Sequence, residues 1–321
     1  MLKAGNFSQT IPGPTTNLFK TGKCIGGGNQ GEVFELFVDK AHRTFGSSLD
    51  ENLVIKIIEK GKPAESNERN ALEFFQNANT FSLPGMTKSY TGFDLDGKFH
   101  FISERAASNL KELLGSKPGS DINIVWLRKQ SRDLAEALLN IHESGGDSIG
   151  MHHDIRRSNI LVFPNQNSQL KLTDWGYTAV QKAAHFTKQS SANPPYSPPE
   201  SAPPLPAGQA RNQSEETAQP HDIWALGRIF LDLLVWVKEG QNGYTSFRND
   251  VKNGGRKFWV EIENAEKIKS QVLSQVVKDV LAKYQLSNDK ETKHLAGVIE
   301  EMLKIDASGR LLAKEVFEQL S

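Results

Sequence analysis

Gly26-Gly27-Gly28-Asn29-Gln30-Gly31-Glu32-Val33 has the spacing G-x-G-x-x-G-x-V, and its flanks decide the fold. A dinucleotide-binding unit needs a helix after the third glycine and an acidic residue at the end of the next strand. Here Lys23-Cys24-Ile25 precedes the glycines and Glu32-Val33-Phe34-Glu35-Leu36-Phe37-Val38 follows at once, two β-type runs joined by the turn. A glycine-rich hairpin of this kind can lay its backbone N–H groups over phosphates, because glycine allows close approach. The alternative is an ordinary glycine turn. Two further β-type runs, Leu53 to Ile58 and Lys98 to Ile102, extend the pattern to an antiparallel sheet. One helix interrupts it between Glu65 and Asn79, with Leu72, Phe75 and Phe74 as its inward residues.

Working outward, Lys56 sits in Leu53-Val54-Ile55-Lys56, where a third strand passes beneath the hairpin. A lysine flanked by apolar residues is either an edge charge or a buried cation that needs anionic partners. Phosphates and a carboxylate would serve; Glu68 on the following helix is one candidate and Glu73 its rival. Downstream lies Met151-His152-His153-Asp154-Ile155-Arg156-Arg157-Ser158-Asn159-Ile160-Leu161-Val162. Asp154 and Asn159, five apart and entering a short apolar strand, can place a carboxylate near a substrate hydroxyl and an amide oxygen on Mg²⁺. His-His-Asp is otherwise a metal triad or a polar loop. A second acidic motif, Leu170-Lys171-Leu172-Thr173-Asp174-Trp175-Gly176, follows another short strand and supplies Asp174 as the principal magnesium ligand.

By its length the chain allows one large two-lobed domain or two medium ones with a well-buried core. It has 321 residues, 37% hydrophobic and 24% charged, an ordinary globular mixture. Lys plus Arg equals Asp plus Glu at 38 each, so no whole-molecule field draws it to nucleic acid or an anionic membrane. Cys24, the single cysteine, excludes an internal disulfide and a CxxC site and points to a reducing compartment. The first residues lack a signal-peptide apolar region, and the longest apolar run, Ile229 to Val237, is too short to span a bilayer. A cytoplasmic protein is expected. Helices are expected from an Asp121 cap through Leu127, Leu134, Leu138 and Ile141, and over Asp222 to Lys238, apolar around most of its circumference. A further one is expected along Ile268, Val272, Val276, Val280 and Leu281, and a last one along Leu295, Ile299, Met302 and Leu303. Between Pro194 and Pro220, prolines crowd a stretch unsuited to regular structure.

Taken together these motifs resemble the eukaryotic protein-kinase family, from about Thr21 to Leu320. The glycine-rich loop spans Gly26 to Val33, with Gly26, Gly28 and Gly31; the strand lysine is Lys56, the helix glutamate Glu68, the catalytic Asp Asp154, and the magnesium positions Asn159 and Asp174. Pro198-Pro199-Glu200 resembles A-P-E, Asp222-Ile223-Trp224-Ala225-Leu226-Gly227 resembles D-x-W-x-x-G, and Arg310 matches the late arginine that pairs with Glu200. The resemblance implies an α+β, two-lobed fold: an extension over 1–20, then a kinase domain over 21–320, with a sheet-rich lobe to about 105 and a mainly helical lobe beyond. It also implies a hinge from Glu104 to Ala106 contacting adenine, with Ser103 just before it. Val33, Val54 and Leu161 around the ring and Ile25 at the roof complete the nucleotide site, and Leu72, His152 and Trp175 form a stack anchored by Asp222. ATP and Mg²⁺ are the implied cofactors. The implied activity is transfer of the γ-phosphoryl group to Ser/Thr hydroxyls of a protein substrate, with no nucleic acid or membrane partner and the oligomeric state left open.

Four departures qualify the resemblance. His153 replaces the arginine that commonly precedes the catalytic Asp, a non-RD variant, so activity without activation-segment phosphorylation is expected. Arg156 replaces a lysine with a planar cation that keeps the charge. Trp175 replaces phenylalanine and should pin the segment, and Asn193 stands where Ser/Thr-specific members carry threonine. The run Asp222 to Val237 looks most like fungal members. Thr178, Thr187, Ser190, Ser191 and Ser197 are loop hydroxyls, Pro203-Pro204-Leu205-Pro206 a stiff surface loop, and Cys24 a half-buried strand thiol. The rival classes are a pseudokinase scaffold that binds nucleotide and partners without turnover, and a small-molecule kinase of the same fold.

Overall fold

The computed structural model describes residues 2–7, 9–10, 19–28, 30–45, 52–77, 79–143, 148–164, 168–182, 196–201, 219–264 and 269–321. Asn193, Thr187, Ser190, Ser191, Ile268 and the Pro203–Pro206 run lie outside them.

The first part is a sheet built on alternation. Strands β1 (Gln9–Thr10), β2 (Lys20–Gly28), β3 (Gly31–Phe37), β4 (Leu53–Glu59), β5 (Ser89–Leu95) and β6 (Lys98–Glu104) lie in the order β1-β5-β6-β4-β3-β2. Every pairing is antiparallel except that of the short β1 with β5. On central β4, Leu53 and Ile55 join an outer apolar cluster with Leu2, Leu36, Tyr90, Phe93 and Ile102. Ile58, of opposite parity, belongs to the main core, and Val54 and Lys56 share its face. The period of two therefore turns the lysine toward the middle of the molecule. Helix α1 (Pro63–Asn77) opens on a proline, whose missing N–H is harmless at a first turn, and buries Glu68, Leu72 and Phe75.

Beyond residue 105 the chain is mainly helical. Short β7 (Ser108–Asn109) and α2 (Leu110–Leu113) lead to α3 (Ile124–Glu143), in which Leu127, Leu134, Leu138 and Ile141 are fully buried. The cap of α3 is Asn123, not Asp121: the Asn123 carboxamide oxygen accepts from the N–H groups of Val125 at 3.0 Å and Trp126 at 3.1 Å. Then come β8 (Ser148–Met151), β9 (Ile160–Phe163), β10 (Gln169–Leu172) and β11 (Ala179–Lys182), with β9 pairing β10 and β8 pairing β11. Helix α4 (Gln219–Asn253) breaks at Gly240, where φ is 69°; residues 221 to 236 before the break are all buried, so this segment is the axis of the helical part.

Three sequence expectations need correction here. Val272 lies on a strand, in the hairpin of β12 (Trp259–Glu263) and β13 (Lys269–Leu273), and α5 (Gln275–Gln285) begins only after Ser274. The helix α6 (Lys290–Met302) carrying Leu295 and Ile299 is followed by another, α7 (Ala313–Leu320). Cys24 is exposed rather than half-buried, because no layer of described residues covers the β2 edge.

Candidate active site

The glycines earn their places one contact at a time. Across the hairpin, Gly26 faces Val33, Gly27 faces Glu32 and Gly28 faces Gly31. Gly31 has φ 116°, and a Cβ there would stand 2.6 Å from the Ile57 carbonyl oxygen, so only glycine lets the hairpin lie this close to β4. On β4, Lys56 is registered between Val33 and Phe101. Its Nζ donates to Glu68 Oε2 at 2.8 Å and to Asp174 Oδ1 at 2.7 Å. Of the two glutamates on α1, it is Glu68, itself 0% exposed, that meets the lysine. Burial works against the charge on Lys56, but the two carboxylates outweigh it and hold the ammonium above the ordinary lysine range. Burial likewise opposes ionisation of Asp174, and Lys56 again outweighs it, keeping this carboxyl below its ordinary value. Asp174 has φ 72°, a left-handed conformation costly for a non-glycine residue and found where surroundings force it.

The following residues lock that segment. The Trp175 N–H donates to Glu68 Oε1 at 3.2 Å, and Asn67 Nδ2 donates to the Gly176 carbonyl at 3.0 Å, so two neighbours on α1 hold the chain just past Asp174. The Trp175 ring, 1% exposed, lies 4.7 Å from Phe75 and 5.1 Å from His152. Of the expected stack, His152 meets Trp175, which also meets Phe75, and Leu72 lies in the same main core as Phe75 and Trp175.

Between β8 and β9 the chain folds back on a buried anion. Asp222, 0% exposed at the start of α4, accepts the backbone N–H groups of His152 at 2.7 Å and His153 at 2.8 Å, and its Oδ2 lies 3.1 Å from His142 Nε2. Burial would raise its pKa; the His142 hydrogen bond and the surrounding histidines hold it well below the carboxylate range instead. This clamp presents Asp154, 3% exposed, whose Oδ2 accepts Asn159 Nδ2 at 2.8 Å and lies 3.1 Å from Arg156 Nε. Asn159 Nδ2 also donates to the Asp154 carbonyl at 3.0 Å, so the amide nitrogen is spent on Asp154, while Oδ1 accepts the Ser158 hydroxyl at 3.3 Å and keeps a second lone pair for a cation. Burial raises the Asp154 pKa, with Arg156 opposing. Residue 153 has φ 61°, and neither of its ring nitrogens has a hydrogen-bond partner among the described residues. Its imidazole packs edge-on against His221 at 5.8 Å, and burial lowers the pKa of both rings, that of His221 to about 4.

The other expected residues lie on β2, β3, β4, β6 and β9 and just past β6. Ile25 is 43% exposed, Val33 and Leu161 are half-buried, and Val54 is 8% exposed. Glu104 ends β6 with its carboxylate accepting from Lys171 Nζ at 2.8 Å and the Lys88 N–H at 2.7 Å, and Ala106 follows two residues on. Far below, Arg310 reaches Glu200 with NH1 at 2.6 Å and NH2 at 2.7 Å, a bidentate pair nearly sealed from solvent. Thr178 and Ser197 are both buried, at 1% and 8%. Two contributors had no separate signal in the sequence. Asn67 is hidden beside Glu68. Gln30 occupies a variable position of the glycine motif, yet with its amide turned so that nitrogen faces the acid it lies 2.7 and 2.8 Å from the two Asp174 oxygens.

A glycine hairpin over a lysine, that lysine shared between a helix glutamate and Asp174, and an Asp154–Asn159 loop clamped by Asp222 place the chain in one class. Residues 19–320 match the family described as the protein kinase domain, and the chain belongs to that family. Over 197 residues it is 26% identical to the serine/threonine-protein kinase kin-29 of Caenorhabditis elegans, and over 195 residues 25% identical to that of Caenorhabditis briggsae. Each match covers 59% of this chain and 22% of the relative, so the chain spans only about a fifth of the length of these curated relatives. No helix among the described residues is long and apolar enough to cross a membrane.

Proposed function

We propose that this protein is an ATP- and Mg²⁺-dependent protein kinase that transfers the γ-phosphoryl group to Ser/Thr hydroxyls of protein substrates. The domain is read as 21–320, hinged near residue 105. The observation that carries the proposal is the three-way junction at Lys56, which ties sheet, helix α1 and the Asp174 segment together across 118 residues of sequence at 2.7 Å. A junction of one ammonium and two carboxylates is built to receive phosphate oxygens on the cation and a metal on the outer carboxylate.

The donor set fits magnesium: hard oxygens only, from an ionised Asp174 and from Asn159 Oδ1, with the remaining ligands left to phosphates and water. Bound there, Mg²⁺ would neutralise charge on the phosphates. Lys56 and the Gly26, Gly28 and Gly31 backbone hold phosphate oxygens, and Glu68 keeps Lys56 aimed. Ile25, Val33, Val54 and Leu161 supply the apolar walls for adenine, and the backbone at Glu104 and Ala106 its polar edge. Asp154 accepts the proton of the acceptor hydroxyl on Oδ2 or its partner oxygen, oriented by Asn159, while Arg156 offsets charge on the moving phosphoryl group. Positioning and charge stabilisation supply most of the rate.

The test is purified protein with Mg²⁺, γ-labelled ATP and generic protein acceptors, wild type beside Asp154→Asn and Asp174→Ala. Transfer in the wild type alone, on serine or threonine by phosphoamino-acid analysis, is expected. Nucleotide binding without transfer would refute the proposal in favour of a scaffold.

A further inference from the structure

Beside the proposed transfer site lies a cavity of about 680 Å³ with an unusual lining. Lys111 comes from α2, Arg156 and Arg157 from the loop before β9, Arg248 and Lys252 from the distal half of α4, and Arg256 from just beyond it. No carboxylate lines the cavity among the described residues. Two carboxylates behind the wall answer part of this charge. Asp154 lies 3.1 Å from Arg156, and Asp232, 1% exposed, lies 3.8 Å from Arg157 and 3.5 Å from Arg248. Lys111, Lys252 and Arg256 form no ion pair among the described residues. Six cations therefore face two acids.

The positive charge is built in rather than incidental. Cations at a helix C-terminus are ordinary, which accounts for Lys252 and Arg256 taken alone. It does not account for Lys111, Arg156 and Arg157 converging on the same hollow from other elements. Arg157 is held in place by the phenols of Tyr196, at 2.6 Å, and Tyr244. Behind Tyr196 lies a further guanidinium, Arg228, wholly buried, 3.9 Å from the Phe258 ring centroid and without a hydrogen bond among the described residues. Gathering like charges in a concave wall costs stability and focuses a positive potential outward, and only an anion recovers that cost.

We propose that this cavity binds anionic side chains of the acceptor polypeptide, carboxylates or phosphates flanking the target hydroxyl, so that the protein selects acidic or already phosphorylated substrates. The inference rests on the kinase reading for its link to transfer, because Arg156 joins the cavity to Asp154. The anion meets guanidinium forks at Arg248 and Arg256 and point charges at Lys111 and Lys252, a mixture suited to either oxygen-rich group.

The experiment takes one serine-containing host peptide in three versions, with glutamates, phosphoserines or lysines around the acceptor, each fluorescently labelled. Binding is followed by anisotropy and transfer by kcat/KM, for wild type and for Lys252→Glu/Arg256→Glu. Both substitutions lie at the rim and leave the Lys56, Asp154 and Asp174 groups untouched. The anionic peptides should bind and react better than the lysine peptide, and the double variant should lose about tenfold in KM for them, with kcat and ATP affinity kept. The glutamate and phosphoserine arms decide which anion is preferred. Equal use of all three peptides, or anionic peptides unaffected by the double variant, overturns the inference and leaves the kinase reading standing. Absence of transfer to every peptide overturns the kinase reading; anisotropy then judges the cavity alone, and failure of the anionic peptides to bind better than the lysine peptide overturns it.

Discussion

Lowering the pH below neutrality should destabilise this fold, and His221 makes its own share of the effect calculable. Its imidazole is 3% exposed, beside Asp222, His153, Glu200 and Arg310, and burial depresses its pKa from 6.5 to about 4. In the unfolded chain the ring takes a proton near its ordinary pKa; in the fold it stays neutral. The unfolded state therefore binds more protons between those two values, and stability rises with pH through that window. The linkage gives almost nothing at about pH 7.5 and a loss of about 2 kcal/mol at about pH 5 from this one ring. The perturbation is His221→Phe, which keeps a flat ring against His153 and removes the titration. Urea midpoints followed by fluorescence of the buried Trp175, Trp224 and Trp236 would be measured across that range for both proteins. The comparison uses the difference between the two curves, since burial also depresses His153 and His100 and both remain in the variant. A variant curve as steep as the wild-type one would refute the assignment of the loss to His221.

Other perturbations read different parts of the structure. Arg310→Ala strands the Glu200 carboxylate, 4% exposed, and should cost about 3–5 kcal/mol in chemical denaturation. Gln30→Ala removes the amide that lies on Asp174 and should tighten magnesium-nucleotide binding about fivefold by calorimetry, since the side chain no longer has to be displaced. Phosphatase treatment should leave the transfer rate unchanged, because residue 153 offers a buried neutral imidazole where an arginine would meet a phosphate; lost activity would overturn that expectation.

What could be read in advance follows from how local each signal is. The Lys56 face was legible because alternation along β4 puts Val54, Lys56 and Ile58 on one side. The ordered motifs around Asp154, Asn159, Asp174 and Glu200 carried the family resemblance even though their partners lie over a hundred residues apart. Strand β5 escaped because Ser-Tyr-Thr-Gly-Phe-Asp-Leu mixes polarity and holds a glycine. Val272 was misplaced because an apolar spacing of four happens to run from strand β13 across Ser274 into α5. The choice between Asp121 and Asn123 depends on where the backbone leaves extended geometry, which two similar cap residues do not reveal. The basic cavity was invisible for a different reason: its cations are scattered from 111 to 256 with no period, and only tertiary packing collects them.

The N-terminal segment has a kinetic consequence. Leu2 bonds to His42 and Thr44, Gly5 to Tyr90, and Asn6 to Gly92, while the Phe7 carbonyl accepts from Arg69, the residue after Glu68 on α1. These residues leave the ribosome first among those described, yet their partners extend to Tyr90 and Gly92, and Arg69 is itself tied to Asp94 at 2.6 Å. During synthesis the sheet must therefore wait with its earliest residues unplaced until β5 has emerged, a high-contact-order closure of the slow kind. The Lys56–Glu68 pair, twelve residues apart, can form early, but its third member is not made until position 174. A nascent chain halted between those points holds the residues of the pair but not the third member of the junction.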